Sequence, residues 1–304
     1  MLRRCLCTSV LAAALAPAFA ADNPFVGHWA LTIPGGGAGW LGITQEKGYF
    51  DGGLLWGGGS VVPVDSVFFT DDTMFVIRIN EVRRKDATGK TVRTQRFPET
   101  LVARVDGDEL SLTRYTPRDN GQGVRKEEFT GKRTPPPGPA PDLSQVKFGE
   151  PITLFNGRDL TGWKTMGSPS GWRAENGLLV NEAKQEPGKH IAYANLRTER
   201  EFEDFNLTLE ARVQKGGNSG IYLRGIYEVQ VADSYGRPPD SHGIGGVYSR
   251  ITPTENPAKP PGEWQSFDIT LVDRHITVVL NGKKIIDNQP VLGCTGGALW
   301  RSEE

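Results

Sequence analysis

Five prolines in eight residues, Thr134-Pro-Pro-Pro-Gly-Pro-Ala-Pro141, divide the 304-residue chain. Proline holds φ at about −65° and donates no backbone hydrogen bond, so such a run takes an extended polyproline path and joins neither a helix interior nor a central strand. The sequence on either side must then build its own core, and the length allows about two domains. The predicted organisation is a first unit over residues 22–133, a linker over 134–147 and a second unit over 148–304. A semi-rigid spacer of this kind either holds its two units apart or docks them.

Both units read as β structure. In the first, strand-like runs at 30–33, 40–44, 53–56, 61–69, 73–79, 99–105, 109–115 and 125–132 are separated by turn signals such as Thr70-Asp71-Asp72, Asp86-Ala-Thr-Gly89 and Asp106-Gly107-Asp108. Many short strands without a helical period predict an up-and-down sheet curled into a small antiparallel β-barrel-like domain. The opening Gly27-His-Trp29 and the closing Phe129-Thr-Gly-Lys-Arg133 are similar to the ends of a lipocalin-type barrel. Trp29, Trp40 and Trp56 are either core or the lining of a ligand pocket, and core is the commoner fate of a tryptophan in a small barrel.

In the second unit, residues 205–213 alternate without a break: apolar at odd positions, polar at Asn206, Thr208, Glu210 and Arg212, a half-buried strand. Asn281-Gly282 joins 275–280 to 283–287, Asn176-Gly177 turns a hairpin within 172–180, and Asn156-Gly157 closes a strand begun at Ile152. The arrangement predicted is a sandwich of two antiparallel sheets, a jelly roll. Residues 216–234 form a hairpin, with one strand through 221–224, a reversal at Gly225 and a second strand through 227–231. Alternation puts Tyr222 and Arg224 on one face of the first strand and Glu228 and Gln230 on one face of the second, with Asp233 beyond it.

The first twenty residues read as an export signal: Arg3 and Arg4, an apolar stretch over 11–16, and Ala18-Phe-Ala20 as a small-x-small cleavage site. This predicts a periplasmic or secreted product cleaved near Ala20. Cys5 and Cys7 leave with it, so Cys294 has no internal partner and disulfides do not staple the fold. The formal charge moves from −1 to −3 when the two arginines go. That balance excludes nucleic acid or an anionic membrane surface as the main partner. No later stretch has the roughly 18 consecutive apolar residues of a membrane helix.

Several ordered motifs carry a resemblance. Leu154-Phe-Asn-Gly-Arg-Asp-Leu-Thr-Gly-Trp163, Gly217-Asn-Ser-Gly-Ile-Tyr-Leu-Arg224, Tyr227-Glu-Val-Gln-Val-Ala-Asp-Ser234, Gly262-Glu-Trp-Gln265 and Leu280-Asn-Gly282 resemble the 3-keto-disaccharide hydrolase domain, formerly domain of unknown function 1080. The resemblance covers about residue 148 to the end. It implies a concanavalin A-like jelly roll and cleavage of glycosides whose C3 hydroxyl has been oxidised, with the substrate supplied by a sugar 3-dehydrogenase. After Gly293-Cys-Thr-Gly-Gly-Ala-Leu-Trp300 the family continues into a closing strand, whereas this chain ends at Glu304. A sandwich lacking that strand is expected to expose an unpaired edge.

A ketone at C3 acidifies the C2 hydrogen, so a base can remove it and the C1 substituent can leave by elimination. Ordinary glycoside hydrolysis instead uses two carboxylates flanking an oxocarbenium-like centre. The keto route needs a base, an acid for the leaving oxygen, and a donor for the enolate. Glu228 is the candidate base or acid, Arg224 the enolate stabiliser, Gln230 an orienting group, and Asp233 a second carboxylate or metal ligand. Tyr222, Tyr248 and Trp264 can stack on or donate to a sugar, and His242 can shuttle a proton. The plainer alternatives are a cross-strand Glu228–Arg224 ion pair, an exposed loop histidine, and solvated polar faces at Glu210 and Arg212. No HxxxH, HExxH or CxxC spacing is present, so no cofactor is expected, although a divalent metal at Asp233, His242 and Glu228 stays open. Two further readings are open: a carbohydrate-binding module, and a glycosidase acting on unoxidised glycan.

Overall fold

The structure, a computed structural model, describes residues 23–297. The segment 1–20, predicted as an export signal, and the final residues 298–304 lie outside the described residues. Every regular element among the described residues is a strand, and no helix there is long and apolar enough to cross a membrane.

The first nine strands are β1 (Gly27–Thr32), β2 (Gly39–Gln45), β3 (Phe50–Trp56), β4 (Val62–Pro63), β5 (Ser66–Thr70), β6 (Thr73–Lys85), β7 (Thr91–Asp106), β8 (Glu109–Pro117) and β9 (Val124–Thr134). They form one sheet in the order β4-β3-β2-β1-β9-β8-β7-β6-β5, curled until β5 approaches β3. Alternate side chains fill its inside: Trp29 and Leu31, Leu41 and Ile43, Met74 and Val76, Leu101 and Ala103, Leu110 and Leu112. The unit's first and last strands, β1 and β9, pair in the middle of the sheet, with Trp29 opposite Arg133, whose guanidinium lies 4.1 Å from the indole ring. β6 and β7 run further than their apolar alternation indicates. They pair from Thr73↔Arg104 to Lys85↔Thr91, and the predicted turn at Asp86-Gly89 heads an arm with little apolar side to mark its period.

β2 is buried on both faces. Leu41 and its cross-strand partner Leu54 point into the barrel, while Trp40 and its partner Leu55 point out into the core of the second unit. His28 stacks on Trp40 with ring centres 5.3 Å apart, and the Arg250 guanidinium sits 4.0 Å from the same indole. The proline linker lies against the second unit, Pro135 O accepting from Arg274 and Pro141 O from Asn288 at 2.7 and 2.9 Å. Of the two roles open to the spacer, it takes the docked one.

The second unit opens with short pieces: β10 (Trp163–Thr165) paired with β13 (Leu196–Thr198), and the hairpin β11 (Trp172–Glu175) to β12 (Leu178–Asn181). No strand forms at 152–155. There Asn156 Oδ1 accepts from the N–H groups of Arg158 and Asp159, and the Trp163 indole N–H donates to Leu154 O, which holds the segment as a compact loop. The Asn-Gly signal was a turn, but no neighbouring strand pairs with the chain before it.

β14 (Phe205–Ala211), β17 (Gln265–Val272), β18 (His275–Leu280) and β19 (Lys283–Pro290) make a four-stranded sheet in that order. Opposite it lies the hairpin of β15 (Asn218–Leu223) and β16 (Tyr227–Ala232), extended by Val247, which bridges Val229 and Ile251. Phe267, Ile269, Leu271, Ile276, Val278 and Leu280 from the sheet meet Leu223, Tyr227, Val229 and Val231 from the hairpin in one core. The architecture is a jelly-roll sandwich behind a small curled barrel, as the strand pattern predicts.

Candidate active site

The β15–β16 register sets Tyr222 opposite Glu228 and Gly220 opposite Gln230, so the odd-numbered residues face the core and the even-numbered ones the other side. Tyr222 Oη donates to Glu228 Oε2 at 2.7 Å. The segment after β19 folds over this pair. Gly297 N donates to Tyr222 Oη at 2.7 Å, Glu228 N donates to Thr295 Oγ1 at 2.7 Å, and Thr295 N donates to Ile226 O at 3.0 Å. Two glycines leave room for the carboxylate. A Cβ on Gly220 would stand 2.2 Å from Glu228 Oε1, and one on Gly296 would stand 2.2 Å from Oε2.

This packing sets the electrostatics. Burial pushes the Glu228 carboxyl above the usual carboxylate range, and the Tyr222 hydrogen bond offsets only part of that rise. Burial, reinforced by the adjacent Glu228 charge, pushes the Tyr222 phenol well up, so it stays protonated and donating. Of the pair, Glu228 is the member suited to exchange a proton, since its proton affinity is raised while the phenol holds its own.

A second cluster adjoins the first. Tyr248 N donates to Glu228 O at 2.9 Å, and the Tyr248 ring meets His242 edge-on with centres 4.7 Å apart. His242 Nδ1 lies 3.0 Å from Asp240 Oδ1, and its Nε2 lies 2.8 Å from Ser60 Oγ, a residue of the barrel 182 positions away. A carboxylate only accepts, so Asp240 fixes a proton on Nδ1 and leaves Nε2 for the serine. The His242 backbone N–H and then its imidazole hold Asp240 below the usual carboxylate range. Gln230 is buried beneath this loop, its Nε2 donating to His242 O at 3.2 Å. It thereby positions the histidine's backbone.

Three predicted site residues stand apart. Arg224 is not on the strand face: the turn Leu223-Arg-Gly-Ile226 closes with Ile226 N donating to Leu223 O, and both central residues have positive φ, 54° and 70°. Its side chain makes no hydrogen bond or ion pair with the described residues, and the cross-strand partner of Glu228 is Tyr222 instead. Asp233 accepts from Gly216 N at 2.9 Å, which ties the hairpin's far end. Trp264 lies under the Arg212 guanidinium at 4.7 Å, with its carbonyl bonded to Lys259 Nζ. Among the described residues no group of three or more histidine, cysteine, aspartate or glutamate side chains is gathered to hold a metal ion. Sequence reasoning missed Ser60, Asp240, Thr295 and Gly296. The glycine density of Gly293-Cys-Thr-Gly-Gly297 was the one available signal, because close backbone approach is a standard use of glycine.

Fold and site together define an all-β protein whose sandwich hairpin presents a half-buried phenol–carboxylate pair beside a histidine held by aspartate and serine. Residues 150–297 match the profile of the 3-keto-alpha-glucoside-1,2-lyase-like domain. A curated relative, the 3-keto-disaccharide hydrolase of Bacteroides thetaiotaomicron, is 28% identical over 171 residues, covering 45% of this chain. The chain spans 57% of that relative's length. Two crystal structures of candidate glycosyl hydrolases from Parabacteroides distasonis are similar at 26% and 25% identity. They cover 45% and 56% of this chain and 71% and 88% of their own, each with a TM-score of 0.38.

Proposed function

We propose that the protein is an exported enzyme that cleaves the glycosidic bond of 3-keto-glycosides by elimination, followed by addition of water. The observation that carries this reading is the Tyr222–Glu228 pair, a half-buried carboxylate with raised proton affinity beside a donor that does not ionise. Glu228 takes the C2 proton, and the C–H electrons form a C2=C3 bond with the oxygen at C3 carrying the charge. Protonation of Glu228 weakens its claim on the phenol hydrogen, so Tyr222 turns its O–H to the enolate oxygen, a contact stronger in the transition state than in the ground state. The enolate then collapses, C3=O re-forms, C1=C2 forms, and the C1–O bond breaks.

The leaving oxygen takes its proton from the Ser60 hydroxyl, which His242, held by Asp240, resupplies through Nε2. Water then adds across C1=C2: its oxygen joins C1, the proton it sheds restores His242, and Glu228 returns its proton to C2, for net hydrolysis. Nothing is oxidised or reduced, so the cycle calls for no redox cofactor. The oxidation belongs to a sugar 3-dehydrogenase acting earlier, and export rests on the signal-like segment 1–20. The two remaining carboxylates, Asp233 on Gly216 and Asp240 on His242, are engaged elsewhere, which favours elimination over a two-carboxylate glycosidase. The test is isotopic. In D2O, recovered 3-keto sugar carries deuterium at C2, and a substrate deuterated at C2 is cleaved more slowly. Product without C2 exchange and without an isotope effect overturns the elimination route.

A further inference from the structure

A cavity of about 310 Å³ opens on the barrel, lined from β3, β4, β6, β7 and β8 and adjoining the site described above through Ser60. Its floor is a charged cluster on neighbouring strands. Glu99, 1% exposed, accepts from Arg78 Nη1 on one oxygen at 3.3 Å and from Arg114 Nε on the other at 2.9 Å. Arg114 also bonds Glu127 at 3.4 Å and lies 4.1 Å above the Trp56 ring, so all three of its nitrogens are committed. Thr116 Oγ1 contacts Glu99 at 3.4 Å. Glu127 is shared with Arg125, whose Nε lies 3.5 Å from it, so each carboxylate of the cluster is held by two guanidiniums and both acids are spent within it.

The groups left for a ligand are different ones. Arg78 uses one terminal nitrogen and keeps its Nε and other Nη without partners among the described residues, and the Asn80 amide is likewise unpartnered. Leu54, Trp56 and Val62 supply apolar wall. Donors from Arg78, the Asn80 amide and the apolar edges of Leu54, Trp56 and Val62 around a floor whose carboxylates are already paired match a sugar ring, with hydroxyls for the polar groups and a C–H face for the apolar wall. The volume lies at the small end of ligand pockets, enough for a small ligand rather than a long chain.

The cavity shares a wall with the candidate active site. Gly58 and Ser60 line it, and the same two residues reach the second unit, Ser60 through His242 and Gly58 against Gly296 O. We infer that the barrel cavity is a subsite for an uncharged sugar unit, the leaving-group portion of the glycoside whose other ring sits at Glu228. The leaving-group part rests on the proposed function; sugar binding by the cavity does not.

Calorimetry with maltose, an unoxidised neutral disaccharide, and with glucuronate tests it on the full chain and on Glu228→Gln. Maltose binds to both proteins and more tightly than glucuronate. Asn80→Ala and Arg78→Gln, checked for unchanged thermal unfolding, each weaken maltose by about fivefold, the worth of one hydrogen bond. Maltose binding that is absent, or unchanged in both variants, overturns the subsite, as does tighter binding of glucuronate. If maltose binds as described while a 3-keto-glycoside is not cleaved, the proposed function fails and the sugar site stands.

Discussion

Trp40→Ala is the substitution that most sharply tests how the two units are joined. The indole belongs by sequence to the barrel yet is 6% exposed within the core of the sandwich. Truncating a buried tryptophan costs about 3–5 kcal/mol in lost burial and cavity. Loss of the Arg250 contact at 4.0 Å adds about 1 kcal/mol. Against this, Trp40 Nε1 is buried without a hydrogen-bond partner among the described residues, and removing it returns about 1–3 kcal/mol. The net is about 3 kcal/mol, a fall in Tm of roughly 6–12 °C at about 2–4 °C per kcal/mol. Because Trp40 stands on a barrel strand with its ring in the sandwich core, scanning calorimetry of the variant should show the sandwich transition falling with that of the barrel. Two separated transitions, with the sandwich unmoved, would refute the shared core.

Tyr222→Phe removes the hydrogen bond that partly restrains the rise in Glu228, so the acid limb of kcat/KM on a 3-keto-glycoside should move to higher pH; an unmoved limb contradicts the pairing. His28 is held below the usual histidine value of 6.5 by burial and then by Arg250 and Arg274. The unfolded chain therefore takes up a proton the folded one refuses, and this stability, present above pH 6.5, is lost as pH falls through the folded value. Glu228 acts with the opposite sign, since its raised carboxyl favours the folded state at low pH and loses that contribution as pH rises. In a Glu228→Gln background, His28→Asn should flatten the loss of Tm between pH 7 and 5. Ser60→Ala should slow cleavage about 2–10-fold for poor leaving groups, the worth of one hydrogen bond, and less for a nitrophenol; equal slowing of both would remove the proton relay.

Local rules made the hairpins legible. Asn176-Gly177 and Asn281-Gly282 turn with positive φ at both positions, and the strict alternation of 205–211 became β14 with the predicted exposed face. Tyr222 and Glu228 were placed on one face by period alone. The turn between them was read one residue late, because Arg224 adopts φ 54°, a value that sequence associates with asparagine or glycine. Long-range contacts were hidden for a different reason. A continuous apolar run such as Ala38-Gly-Trp-Leu-Gly-Ile43 marks a strand covered on both sides, but nothing local says what covers it. Ser60 lies in an exposed glycine loop, and only the docking of barrel on sandwich brings it to His242. Glu99 likewise reads as one acid in an alternating strand until β6 and β8 bring Arg78 and Arg114 to its two oxygens.

The central claim is that Glu228 removes a proton made acidic by a neighbouring ketone. The most direct measurement is release of nitrophenol from a 3-keto-glucoside and from its unoxidised counterpart, by the wild type and by Glu228→Gln. Cleavage of the keto substrate alone, reduced at least about 100-fold by the substitution with Tm preserved, is the predicted result. Equal cleavage of both substrates, or a Glu228→Gln enzyme as fast as wild type, would contradict it.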